Sequence, residues 1–600
     1  MIKISIVIPT FNNTNENLNR LIDSLNSQSM NSKDFEIILV DDGSSDFDSY
    51  KRLKKVEKEN GNVLVKSINA SGWGSKPRNL GTQLAKGEYV FYCDDDDTLF
   101  PQALERMYKF AKDNNLDVVN PKVIRSKGWS WGWEEFKENV IDAQINGVQS
   151  MGPMTVPKLY KKEFLENNEL AFSEGEKVWW EDVMFSCLVY SKGAKIGVLA
   201  DYPVYHWREQ NRSASFGKDI NYKWSQLNNL ADFFNVNLQI EDRDLMIAHW
   251  YNSRVLGAIS KGFHKKNSSD QELEFENATL WRQKFVNENV LTKLNSKQKI
   301  LDYILKVGNL KLAEILSEQQ AGITARSYLD NISFENDKIL ITCSNEITLA
   351  EESTLKYNVN KNGFKINLPD TIEKEIPKEL LYFDSEEVEN AYYLPAIKGR
   401  FSRATWDVKT VKHSKIHHKK RFGKISVYGE LKFLVNINNY ALDEKDYYQP
   451  WDIATRFSFL DCFSQRAIAS KEDFRKAAII NGNTYVVYKN KSELISIDLN
   501  STIIDFFSVA YLNVDDLIIN DNMSQVTIPI NKVHTFGDSR IDLDLVVRNK
   551  NIIGFVDSDG YIESKNNKSF LKINLPVNCS GATTVKMILN NKVHSFDINV

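Results

Sequence analysis

The sequence predicts a doubly wound α/β domain over residues 1–218, followed by an α-helical linker domain and C-terminal β-sandwich modules. Two observations carry the first part. Runs at 4–8, 37–40, 63–68 and 89–93 are apolar on both faces, as strands covered on both sides are. Between them, segments near 14–29, 46–59, 77–86 and 101–114 read as helices, and a repeated strand–helix alternation gives a parallel sheet with helices on its faces. Ligands bind such sheets at the carboxyl ends of the strands.

The remaining elements follow from a change of pattern. Residues 219–334 carry few Gly or Pro, and Ile300, Tyr303, Ile304 and Val307 fall at helical spacing, which predicts the helical linker. From 335 onward short β-rich runs at 338–343, 424–437, 484–488, 502–512, 525–530, 541–547 and 585–589 alternate with Asn, Asp, Gly and Lys clusters. They predict two β-sandwich modules, 335–465 and 466–600. With 600 residues the chain is too long for one core, so several domains are expected.

A net charge of −4 over this length argues against a whole-protein nucleic-acid binder. The first residues run straight into a buried strand, with no charged and apolar leader, and no stretch approaches a membrane-spanning length. Cys93, Cys187, Cys343, Cys462 and Cys579 are odd in number, scattered, and form no CxxC pair, which fits a reducing cytoplasm. The expectation is a cytoplasmic protein, with room for peripheral contact at the inner membrane face.

Chemistry concentrates in an ordered series: Pro9-Thr10-Phe11-Asn12, Val40-Asp41-Asp42-Gly43-Ser44, Lys76-Pro77-Arg78-Asn79, Asp94-Asp95-Asp96-Asp97 and Glu181-Asp182. The first four lie at or just beyond predicted strand ends and converge on one sheet edge. Four consecutive carboxylates repel one another unless a cation relieves them, and hard oxygen ligands suit Mg²⁺ or Mn²⁺, with a sugar-nucleotide diphosphate completing the shell. Such a metal neutralises charge on a departing diphosphate. Asp41 and Asp42 are placed to accept hydrogen bonds from a base or ribose, and Arg78 to contact base or phosphate. Glu181 and Asp182 open a helix, where carboxylates ordinarily cap. As a general base, Asp182 would feel opposing effects: flanking Trp179 and Trp180 raise its pKa, and the helix N-terminus lowers it. Arg208 and Arg212 offer forks suited to diphosphate oxygens.

As a whole, the series resembles the family 2 glycosyltransferases of GT-A fold, over about residues 1–220. The resemblance implies that Asp94 and Asp96 form a DxD-type element with Asp96 the direct metal ligand, Asp95 lying beside them on the donor. It also implies that Asp41 and Asp42 meet the nucleoside, that Pro9 and Phe11 flank the base, and that Asp182, after Glu181, is the base of inverting transfer. A narrower likeness, in the Gly-rich loop ending Lys-Pro-Arg-Asn and the helical and β-rich segments that follow, is to the TarS-type poly(ribitol phosphate) β-N-acetylglucosaminyltransferases. It implies a UDP-sugar donor, a wall-teichoic-acid acceptor and a homotrimer formed through the β modules. The chain departs from that group at Ser71-Gly72-Trp73-Gly74-Ser75, at Trp129-Ser130-Trp131-Gly132-Trp133 and at Arg212, where a His is expected.

On the acceptor side, Trp129 and Trp131 would stack on sugar faces, and Arg254, His264 and Lys265 would grip acceptor phosphates. The basic run 409–421 (KTVKHSKIHHKKR) would attract a polyanion or form an exposed hairpin. His417 and His418 are read as no metal site, because no carboxylate or Cys pattern accompanies them in sequence. Three alternatives remain: a transferase for capsule or another surface polysaccharide, a nucleotidyltransferase, and a non-catalytic glycan-binding scaffold. The second expects a Gly-rich, Arg-containing loop where Pro9-Thr10-Phe11-Asn12 stands. The third expects the motif carboxylates to be lost.

Overall fold

The computed structural model describes residues 1–127, 136–208, 219–260, 262–320, 323–349, 353–421, 424–442, 447–460, 462–500, 503–522, 524–577 and 579–600. The chain divides into two compact units: residues 1–321 with 368–381, and residues 322–367 with 382–600.

The first unit is built on an eight-stranded sheet. Strands β1 (Ile4–Thr10), β2 (Phe35–Asp41), β3 (Val63–Ser67), β4 (Tyr89–Tyr92), β5 (Thr98–Leu99), β6 (Val118–Arg125), β7 (Leu159–Lys161) and β8 (Ile196–Trp207) lie in the order β3-β2-β1-β4-β7-β6-β8-β5. β1 runs parallel to β2 and β4, whereas β7 is antiparallel to β4 and β6. The predicted α/β architecture is therefore present, with β5 to β8 added beyond the four strands the sequence marks. Helices α1 (Asn15–Asn26), α2 (Phe47–Glu59), α3 (Ser75–Leu84) and α4 (Ala103–Asp113) cover the sheet. Thr14 caps α1 through its side chain, and Leu18, Leu21, Ile22 and Leu25 bury one face at helical spacing. Gly81 lets α3 approach β1: a β-carbon there would lie 2.3 Å from Val7 Cγ1. That close seating fixes the height of Arg78, one turn earlier.

Helices α5 (Lys162–Asn167) and α6 (Glu181–Ser191) complete the α/β part. Beyond it, α7 (Ile220–Asn237), α8 (Ile240–Trp250) and further helices up to residue 320 form the expected helical region, compact with the α/β sheet. The helical reading extends too far, however. Strand Ile323–Glu335 pairs antiparallel with Lys338–Leu349 and belongs to the β half. Its buried positions include small Ala325 and Ser327, so no alternation of large apolar side chains marks it as a strand.

The β half contains three sheets rather than two self-contained sandwiches divided at 465. Strand Cys462–Ala467 straddles that boundary, pairing with Pro450–Phe459, which in turn pairs with Ile495–Leu499. The same sheet takes in Val533–Phe536 from the C-terminal region. Ala477, Ile479, Val486 and Tyr488 of this sheet pack with Val526, Leu545, Ile562, Leu571 and Val585 of the last sheet in one core. Alternation marks a strand but not its partner, which is why the boundary could not be placed from sequence. The run at 502–512 is also not a strand along its described length. Asp505 caps a 3₁₀ turn at Phe506–Ser508, and only Tyr511–Leu512 is extended.

Candidate active site

The carboxyl ends of β1, β2 and β4 bring the sequence motifs to one edge, as parallel-sheet geometry requires. Asp94 to Asp97 follow β4 in a turn, and each carboxylate has a different environment. Asp94 accepts from Arg78 at 2.8 Å, Asp95 from the Thr10 hydroxyl at 2.6 Å. Asp97 is buried and accepts from the Tyr205 hydroxyl and the Arg208 backbone N–H, both at 2.6 Å. Asp96 alone of the four has no side-chain hydrogen bond among the described residues. Burial first, then the neighbouring Asp94 charge, pushes Asp96 up to about 6. Burial likewise raises Asp95 to about 7, against the pull of the Thr10 hydrogen bond. Asp96 and Asp94 carry hard oxygens of the kind that Mg²⁺ or Mn²⁺ accepts.

Arg78 is buried and acts as a brace. Its guanidinium donates to Asp94 Oδ1 and to Glu181 Oε1, each at 2.8 Å, and lies over the Phe172 ring at 5.4 Å. Burial alone would lower its pKa, but Asp94 and Glu181 together raise it. In this structure the fork is engaged by two of the protein's own carboxylates. Glu181 is therefore an ion-pair partner and not a helix cap.

Asp182 stands in the first turn of α6, entered through Trp180 in the left-handed region at φ 63°. Such a conformation is costly for a tryptophan and is held by its surroundings. Trp180 packs edge-on against Trp179 and Trp250, with centroids 5.7 and 4.8 Å away. Burial, then the Glu181 charge, pushes the Asp182 carboxyl up to about 7, with Arg78 and Lys158 opposing. Phe185, on the same helix, stacks on Phe172 with 4.0 Å between centroids and meets Tyr92 and Tyr160 edge-on, so α6 is anchored to β4 and β7.

On the nucleoside side, Phe11 is 55% exposed at the end of β1, beside half-buried Pro9, as a base-stacking platform would be. Asp41 accepts from the Ser44 hydroxyl and backbone N–H. Asp42 accepts from the N–H groups of Ser71 and Gly72 at 2.8 and 3.2 Å. Both carboxylates thus shape the loops around the cleft. Gly43, at φ 71°, would place a β-carbon 2.4 Å from Ala70 N, so these two loops touch backbone to backbone.

A family model described as glycosyl transferase family 2 matches residues 5–169. Over 325 residues the chain is 30% identical to the poly(ribitol-phosphate) beta-N-acetylglucosaminyltransferase TarP of Staphylococcus aureus (strain N315), covering 52% of this chain and 95% of that protein. The chain belongs to glycosyl transferase family 2. This family 2 glycosyltransferase is also 37% identical to a poly(ribitol-phosphate) beta-glucosyltransferase of Bacillus spizizenii (strain ATCC 23059 / NRRL B-14472 / W23), over 34% of this chain and 32% of that one. A crystal structure of S. aureus TarS 1-349 in complex with UDP-GlcNAc is similar at 23% identity and a TM-score of 0.46, covering 57% of this chain and 96% of that one.

The remaining expected residues of this glycosyltransferase divide. Arg254 lies in a π-helical turn, Tyr251–Leu256, over the rings of Trp250 and Trp180 at 5.6 and 6.0 Å. His264 instead engages Ser317 through both its backbone N–H and its Nδ1, and Lys265 is exposed. His264 is therefore placed as a helix-packing residue. Arg208 contributes its backbone to Asp97, and burial and then Arg20 lower its guanidinium pKa. Arg212, Trp129, Trp131 and Trp133 lie outside the described residues. Two residues of the site carry no sequence signal: Tyr205, which clamps the acidic turn through Asp97, and Lys158. Lys158 is fully buried, donates to the carbonyls of Pro153 and Thr155 at 2.7 and 2.8 Å, and is lowered by burial to about 7 beside Asp182.

Proposed function

We propose that this enzyme transfers a sugar, N-acetylglucosamine in the first instance, from its UDP derivative to a hydroxyl of poly(ribitol phosphate), with inversion. The observation that carries the reading is the Asp94–Arg78–Glu181 brace, which ties the acidic turn at the donor end to the helix that presents Asp182. With its carboxyl near 7, Asp182 takes the proton of the acceptor hydroxyl as that oxygen attacks the anomeric carbon. A single in-line displacement inverts that carbon. Asp96, with Asp94, would hold Mn²⁺ or Mg²⁺, which stabilises charge on the leaving diphosphate. Phe11 supports the base. Arg254 lies on the acceptor side of Asp182, where a phosphate of the polymer would meet it. Five buried cysteines outside any disulfide suit a reducing compartment, and no helix among the described residues is long and apolar enough to cross a membrane. Action in the cytoplasm, at the inner membrane face, and assembly into a trimer through the β half complete the proposal.

The test is UDP release from a panel of UDP-sugars, with Mn²⁺ or Mg²⁺ against EDTA, and with and without poly(ribitol phosphate). Turnover that needs metal and polymer and disappears in Asp182→Ala and Asp96→Ala is the expected result. Metal-dependent donor hydrolysis indifferent to the polymer would transfer the acceptor assignment to another surface glycan. No turnover or binding with any sugar nucleotide would sink the donor assignment.

A further inference from the structure

Within the basic run, strand Val411–Arg421 forms a hairpin with Lys424–Val435. Alternation puts His413, Lys415 and His417 on one face, and the register sets Lys415 opposite Glu430. Glu430 is thereby the diagonal neighbour of both histidines, within reach of their rings. Its Oε2 lies 3.0 Å from His417 Nε2 and 4.0 Å from His413 Nε2, and one ligand atom from each of the three residues falls within 4.8 Å of the other two. The carboxylate absent from the linear sequence is supplied by the neighbouring strand, which corrects the reading that excluded a metal here. His418 points the other way, edge-on to Phe364 and Phe459.

We propose that His413, His417 and Glu430 form a second cation site, for a divalent metal of the zinc class. Two imidazoles and one carboxylate make the mixed nitrogen–oxygen donor set that zinc accepts, leaving a fourth position for water or an exchangeable ligand. A second observation points the same way. His417 Nε2 is shielded from solvent yet makes no aligned hydrogen bond, although Glu430 is only 3.0 Å away. Two groups facing a common point without bonding each other are arranged as co-ligands are. Ring stacking on Tyr428, with centroids 5.0 Å apart, fixes the His417 plane. Tetrahedral zinc with bonds of about 2.0–2.1 Å brings its ligand atoms to about 3.3 Å from one another. Closing from the observed spacing asks for about 1 Å of movement by side chains that are one-third to one-half exposed. Lys415 opposes the added charge, but its exposed head can turn to solvent.

The experiment titrates zinc into full-length, metal-stripped protein by calorimetry and compares wild type, His413→Ala/His417→Ala and His418→Ala. Zinc taken up at the acidic turn is common to all three, so the difference isolates the hairpin. Wild type and His418→Ala are expected to bind one equivalent more than the double variant. Equal stoichiometry in all three overturns the proposal. Should the double variant melt abnormally, Glu430→Gln, which keeps the side chain's size, replaces it. Loss of that equivalent then upholds the site, and its retention with unchanged affinity refutes it.

Discussion

At the scale of single residues, the proposed chemistry rests on Asp182 as base and on Arg78 as brace. Because the Asp182 carboxyl sits near 7, a base that must be ionised is switched off below that value. Turnover at saturating donor and acceptor is therefore expected to climb with pH through about 7 and then level off. A profile flat from pH 5 to 8 would remove Asp182 from that role. Asp182→Asn, which keeps the shape and removes the basicity, should lower kcat by about 10²–10⁴-fold. Arg78 spans two carboxylates with one planar fork, which an ammonium cannot imitate. Arg78→Lys is expected to lower both Tm and kcat, since one carboxylate loses its partner in a buried setting, a change on the order of 3–5 kcal/mol when such a pair is broken outright. Unchanged melting in that variant would mean the brace is dispensable. The sequence made the motif carboxylates legible because their order and strand-end positions are local properties. It does not reveal the partners these side chains find within the protein, Asp94 and Glu181 for Arg78 and the Ser71 and Gly72 N–H groups for Asp42, because those pairings join distant parts of the chain.

Among elements, the strand-to-helix loops decide the site's shape. Asp42 holds the N–H groups of Ser71 and Gly72, and Gly43 lets the two loops meet at backbone distance. Gly43→Ala combines an unfavourable left-handed φ with a contact of 2.4 Å, so it should cost about 1–3 kcal/mol and lower Tm by several degrees. Its KM for the donor should rise as well, because the displaced loop adjoins the nucleoside side. A variant that melts and binds as wild type would show that the loops yield easily. β1, β2 and β4 are legible because they are buried on both faces and read as continuous apolar runs, whereas the edge strand β3 buries only Val63 and Val65. β7 has three residues, too few to show any period, and β6 begins its chain of contacts only through β7 and β8. Ile323–Glu335 was hidden by small inward residues. The π-helical turn that carries Arg254 to Trp180 has no sequence signature either, since it depends on one shifted hydrogen bond.

For the whole molecule, alternating runs announced a β half, while the partnership of its sheets lay beyond local pattern. The middle sheet spans both sides of residue 465, so residues 466–600 expressed alone would lose Pro450–Phe459, which pairs with Ile495–Leu499 on the side opposite Asn483–Lys489. That fragment is expected to be insoluble or to melt without a cooperative transition in circular dichroism. A sharp reversible transition would restore an independent C-terminal module. The division of the chain has a further consequence, in time. The first unit is not finished when its last long helix is made: residues 368–381 return to it, burying Ile372, Ile376 and Leu381 against it, after an excursion through the β half. During synthesis at about 5–20 residues per second, those sixty-odd residues delay closure by on the order of 3–12 s. Throughout that interval a nascent catalytic unit presents an uncovered apolar face at the ribosome. The late return of residues 368–381 is thus also a window for chaperone capture.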